Sequence, residues 1–265
     1  MKTPLDAKPN AQLRQLFTSR VQPIHYLVIP KCGCTFVKNF LWTLESDRPH
    51  AKPIRIHDDD RDFLRADAAG LSVEDIVARE HAFTVLRNPI DRFFSLYSDK
   101  VVGDGWREYV PLREILAKNH GLDPEVQSID GHRRNCEIMI NWIGRNLNTP
   151  QEIENEAHWT PQSFRRELMD RFQLKLLLLN KLDQQLPVLL RDILPNVDQV
   201  MDNLERNKTT PQFARNEILD HGLRRKINKV YSSDLRLFNQ TRKLWEERDP
   251  QAASDVPRFG DVVAT

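Results

Sequence analysis

The chain has 265 residues, enough for one large domain or two small ones, and its 40% hydrophobic content with twelve Phe can build a sizeable core. Lys plus Arg (39) nearly balances Asp plus Glu (38), which is no electrostatic footprint for generic nucleic-acid binding. Three cysteines, Cys32, Cys34 and Cys136, make no disulfide framework, and no stretch reaches the roughly 20 apolar residues of a bilayer span. Nor does the polar N-terminus carry the apolar core of a secretory signal, so the expectation is a soluble, cytoplasmic protein.

In chain order, residues 1–20 read as a flexible arm, 21–248 as one domain and 249–265 as a tail. His25–Ile29 is predicted as a buried strand stopping at Pro30. Phe36, Val37, Phe40, Leu41 and Leu44 then recur at helical spacing after a tight loop. Ile54–His57 alternates like a short strand, and Ser72 with Asp75 three residues on marks a helix start. Ala82–Leu86 is the next strand. After it, Asn88 suits an N-cap, Pro89 the first helical turn and Asp91 the positive helix end. A largely helical middle follows, then a helix from Thr160-Pro161, a buried strand at Leu174–Leu179 and further helices to Glu247. Short apolar strands alternating with helices predict an α/β fold: P-loop-like, three-layered, with a central parallel sheet flanked by helices.

Two segments carry chemistry. Pro30-Lys31-Cys32-Gly33-Cys34-Thr35 lies between strand and helix, where backbone N–H groups can meet anionic oxygens. Gly33 permits close approach, Lys31 adds a mobile charge and Thr35 a hydroxyl. The lysine precedes the glycine, so the loop is not the GxxxxGK[ST] of ordinary ATPases, and a plain strand–helix turn is the competing reading. Cys32 and Cys34, without a second ligand pair, make no zinc site, and no metal is expected. The second segment, Arg87-Asn88-Pro89-Ile90-Asp91-Arg92-Phe93-Phe94-Ser95, puts an arginine fork at a strand end and a hydroxyl two turns into the next helix. Alone it could equally be a solvated helix; together the two suggest a nucleotide phosphorylated at two places.

PKCGCT followed by RNPIDRFFSLYSDK resembles the paired cofactor motifs of sulfotransferases that use 3′-phosphoadenylyl sulfate (PAPS), with closest likeness to the carbohydrate branch of chondroitin- and heparan-type enzymes. The resemblance implies that Lys31, Cys32, Gly33, Cys34, Thr35 and Phe36 hold the 5′-phosphosulfate, and that Arg87 and Ser95 hold the 3′-phosphate, which stays on the product PAP. His158-Trp159-Thr160-Pro161-Gln162 and Tyr231-Ser232-Ser233-Asp234 extend the likeness over about residues 24–245. Lys31 is the candidate for stabilising leaving-group charge. His57, ending the strand expected between the two motifs, is the candidate general base, with Asp58-Asp59-Asp60 either orienting its ring or simply solvated. His158 either faces the acceptor or packs beside Trp159. Arg206–Thr210, with Lys208, reads as a loop closing over the cofactor or as a turn before Pro211. The partner expected is a glycan or another hydroxyl-bearing acceptor. The competing functions are a nucleotide-dependent kinase and a PAP-binding module without catalysis; oligomeric state is not legible.

Overall fold

A computed structural model describes residues 9–102, 109–150, 152–204 and 214–264. The chain falls into two compact units. The first gathers residues 1–87, 164–207 and 237–265; the second gathers 88–163 and 208–236.

The first unit is built on a four-stranded sheet in the order β1 (Leu16–Thr18), β2 (His25–Leu27), β3 (Ala82–Leu86), β4 (Lys175–Leu178). β1 runs antiparallel to β2, while β2, β3 and β4 are parallel, with Leu27 opposite Thr84 and Leu86 opposite Leu178. Every residue of β2, β3 and β4 is buried, as expected where both faces of a parallel sheet are covered. The period-2 alternation of the strands divides them between two cores. Tyr26, Phe83, Val85 and Leu177 pack with Val37, Phe40 and Leu41 of helix α1 (Cys34–Ser46) and with Leu186 and Leu189 of the helix Leu182–Leu190. Leu27, Leu86, Leu176 and Leu178 pack on the opposite side with Leu168, Phe172, Leu244 and Phe259. Each such side chain contributes about 1.5–3 kcal/mol by leaving water. The predicted layers of helix, mostly parallel sheet and helix are therefore present.

Two expectations need correction. Ile54–His57 is no strand: Pro53–Asp59 is a 3-10 helix. β2 pairs directly with β3, which leaves no edge between them for another strand, and Pro53 occupies the first turn. Ile56 points inward and Ile54 is exposed, a two-residue alternation that a tight helical turn satisfies as well as a strand does. Within the segment read as an arm, Leu16–Thr18 is a strand and Leu13, Leu16 and Phe17 are buried. At the other end, Ala253, Val256, Phe259 and Val262 of the tail are also buried, and Arg258 bridges to Lys175 of β4.

The second unit is helical. Helix α2 (Pro89–Leu96) starts as predicted, with Asn88 Oδ1 accepting from the Ile90 N–H and Pro89 in the first turn. It shares a core with the helices Val110–His120, Ile129–Asn148 and His221–Val230. The two further motif segments meet here. Asp234, 1% exposed, accepts from the N–H groups of Gln162 (2.8 Å) and Ser163 (2.9 Å), and the Tyr231 hydroxyl donates to the Trp159 carbonyl (2.8 Å). Arg92, also buried, donates to the carbonyls of Thr160 and Ala157. This clamp satisfies the backbone of an irregular segment that has no ladder of its own.

Candidate active site

The site grows from the loop between β2 and α1. Lys31 (φ 66°) and Gly33 (φ 80°) both take left-handed backbone conformations, which coil the chain tightly before the helix. At Gly33 a Cβ would meet Leu179 Cδ1 at 2.5 Å, so glycine satisfies both the backbone angle and the close approach of the segment after β4. Gly33 is the N-cap of α1, and no side chain caps that end. The positive end of the helix dipole is therefore available to an anion. Cys32 is buried against the core while Cys34, Thr35 and Phe36 are half-buried, Phe36 packing against the core that includes Val37 and Phe40.

Arg87, directly after β3, reaches this loop: its guanidinium donates to the Lys31 carbonyl at 3.0 Å. Arg87 of the second segment thus joins the first-segment loop at the carboxyl ends of adjacent parallel strands, where open α/β sheets bind ligands.

His57 is brought in from the 3-10 helix. Asn39 of α1 fixes that helix by donating both to the Thr35 carbonyl (2.8 Å) and to the Pro53 carbonyl (2.9 Å). The imidazole then lies with Nε2 at 3.0 Å from Thr35 Oγ1 and 3.8 Å from Cys34 Sγ. Its Nδ1 lies 2.8 Å from Lys38 Nζ. Lys38 in turn pairs with Asp60 Oδ1 and stands 5.0 Å from the centre of the Phe17 ring. Burial pushes the Lys38 ammonium below its ordinary pKa, opposed by its hydrogen bond and charge pairing with Asp60. The acidic run therefore serves the ring through an intermediary. Asp60 reaches Lys38, Asp59 pairs with His50 at 2.6 Å, and Asp58 pairs with Arg55 at 2.6 Å.

The structure thus brings Lys31, Gly33, Cys34, Thr35, His57 and Arg87 into one region of the first unit. Ser95 and His158 belong to the second unit. Ser95 is half-buried on α2. His158 sits between Tyr109, whose hydroxyl is 2.6 Å from Nδ1, and the Glu156 carboxylate, beside a buried Trp159. Lys208 and its loop lie outside the described residues. Arg133 is occupied by Asp130 and by the carbonyls of Glu217 and Ile218, and half-buried Arg165 by Gln15. Among the described residues no group of three or more His, Cys, Asp or Glu could hold a metal, and no helix is long and apolar enough to cross a membrane.

Lys38, which touches both His57 and Asp60, is the residue at this cluster that sequence reasoning missed. Its signal was the helical i, i+4 relation to Cys34, which places it on the face of the loop cysteine, combined with a lysine inside an otherwise apolar stretch.

The left-handed coil at Gly33, the strand-end arginine and the helix end without a side-chain cap bring groups suited to an anion into one region of the first unit. The family model described as "Sulfotransferase family" matches residues 14–240. No curated protein and no solved structure matches the chain.

Proposed function

Because the chain belongs to the sulfotransferase family, we propose that it transfers a sulfuryl group from PAPS to a hydroxyl of a carbohydrate or glycan-like acceptor. The observation that carries this reading is the convergence of the Lys31–Thr35 loop, Arg87 and His57 at the carboxyl ends of two parallel strands. Lys31, Gly33, Cys34, Thr35 and Phe36 would hold the 5′-phosphosulfate, and Arg87 the 3′-phosphate. When bound, the donor supplies an activated sulfate whose leaving group is the nucleotide's 5′-phosphate.

Three tasks fall to the chain itself. Lys31 places a positive charge beside the loop where leaving-group charge develops. Helix α1 adds its dipole to the same end. His57 takes the proton of the acceptor hydroxyl; a well-placed base is worth on the order of 10²–10⁴-fold. The hydroxyl of Thr35, 3.0 Å from Nε2, supports this role, since an alcohol oxygen already stands at hydrogen-bond distance from that nitrogen.

The test is a titration followed by a transfer assay. PAP is expected to bind at least about tenfold more tightly than ATP, since a phosphate–arginine contact is worth roughly 1.5–3 kcal/mol. Labelled sulfate is then expected to pass from PAPS to one or more members of a glycan panel. Tight ATP binding with γ-phosphate transfer would replace this reading with a kinase. PAP binding without transfer to any hydroxyl would leave a nucleotide-binding module.

A further inference from the structure

We propose that Lys38 is the proton partner of His57, receiving the Nδ1 proton of the ring when Nε2 accepts one from the acceptor hydroxyl. The inference rests on the reading of His57 as the base and adds to it the residue that decides which ring nitrogen can act.

The two nitrogens are engaged on opposite sides, Nε2 with Thr35 Oγ1 and Nδ1 with Lys38 Nζ at 2.8 Å. A neutral imidazole that takes a proton at Nε2 must carry its own on Nδ1. Here that proton points at Nζ, and an ammonium has no lone pair to receive it; an amine does. A neutral ring in this geometry therefore has two arrangements. With Lys38 as ammonium, Nδ1 accepts and Nε2 carries the proton, so the ring cannot deprotonate an alcohol there. With Lys38 as amine, Nδ1 donates and Nε2 accepts.

The surroundings bring the second arrangement within reach. Lys38 is 1% exposed, and burial lowers its pKa; nearby Arg65 acts in the same direction, while Asp60 and Cys34 oppose it. Asp60, whose side chain is 39% exposed, touches Nζ from the solvent side and gives the proton an exit to water.

The step balances. The acceptor oxygen bonds to the sulfur as its proton passes to Nε2, and the Nδ1 proton passes to Nζ. The bond between that sulfur and the donor's phosphate oxygen breaks, its electron pair leaving with the phosphate. Lys38 ends as an ammonium paired with Asp60, and the ring ends neutral with its proton on Nε2. Loss of one proton from Lys38 through Asp60, followed by a shift of the ring proton from Nε2 to Nδ1 by exchange with water, resets the pair.

A charge-conserving substitution separates this role from a structural one. Arginine keeps the charge but does not release a proton. Lys38→Arg is therefore expected to lose about 100-fold or more in turnover, whereas Lys38→Met, which leaves the ring to choose its own tautomer, loses only about tenfold. Both should bind PAP within about twofold of the parent, measured by calorimetry. Turnover in K38R equal to or above that of K38M overturns the proposal.

Where K38R fails to bind PAP, ring-¹⁵N-histidine NMR of the wild-type chain decides, with the His57 signals assigned by their loss in His57→Gln. From about pH 6 to 10 the ring is expected to switch from the Nε2–H to the Nδ1–H tautomer as Lys38 loses its proton. The switch should be absent in K38M. A single tautomer throughout, or the same switch in K38M, contradicts the inference. Unchanged turnover in H57Q would instead remove the base, and the relay with it, even with the switch intact.

Discussion

Arg87 shows how one side chain joins two readings of the sequence. Its position after β3 was legible, whereas its bond to the Lys31 carbonyl was not, because that bond depends on the coil of a loop 56 residues away. Arg87→Ala removes the proposed 3′-phosphate contact together with the bond to the Lys31 carbonyl. PAP affinity in that variant should fall about 10- to 100-fold, following the roughly 1.5–3 kcal/mol of a charge-assisted hydrogen bond. Unchanged affinity by calorimetry would free Arg87 from the role. Gly33 was likewise readable as a place of close approach, but its crowding partner, Leu179, comes from a distant strand end. Gly33→Ala combines a strained left-handed φ with that collision, and a loss of about 1–2 kcal/mol in chemical denaturation is expected. Lys38 escaped notice because a lysine in an amphipathic helix usually lies on the wet face. The 3-10 helix, tied to α1 by Asn39, and the Phe17 ring together bury it.

At the scale of elements, the features most legible in the sequence are those with local causes. The Ser72–Asp75 capping box and the Asn88 cap both form, since each depends on atoms within three residues. The Ile54–His57 segment was misread because two-residue alternation does not separate a strand from a tight turn. What decides is an available sheet edge, and β2 and β3 leave none. The segments around Trp159 and Tyr231 are tied to each other by buried hydrogen bonds. Asp234→Ala leaves two buried N–H groups without their acceptor. A drop of about 2–5 kcal/mol in unfolding free energy should follow, while Tyr231→Phe, losing one neutral hydrogen bond, costs about 1 kcal/mol. Equal stability of the aspartate variant and the parent would show that water replaces the carboxylate.

For the molecule as a whole, layer order was legible from the alternation of apolar strands and helices, and the two-sided burial of β3 and β4 follows from the same pattern. The division into two units was not legible, because neither is continuous in sequence and each is assembled from separated stretches. Burial also sets a pH limit on the fold. His25, inside β2, is held at a pKa of about 4, first by burial and then by the charges of Arg79 and His81. An unfolded histidine titrates near 6.5, so between those values the unfolded chain binds the extra proton. Stability contributed by the neutral ring is thus full above about pH 6.5 and declines as pH falls toward 4, by up to roughly 3 kcal/mol. His25→Gln, followed by denaturation at about pH 5 and 7, should lose much of that slope; an unaltered slope would place it on other groups.

The most direct measurement of the central claim is sulfate transfer from labelled PAPS to a glycan panel, run in parallel with the wild-type chain and His57→Gln. Label should appear on an acceptor hydroxyl with the wild-type chain. With the variant, turnover should fall by about 10²–10⁴-fold while PAP binding is retained. Label that stays with the nucleotide for every acceptor, or equal turnover by the two proteins, would contradict the account.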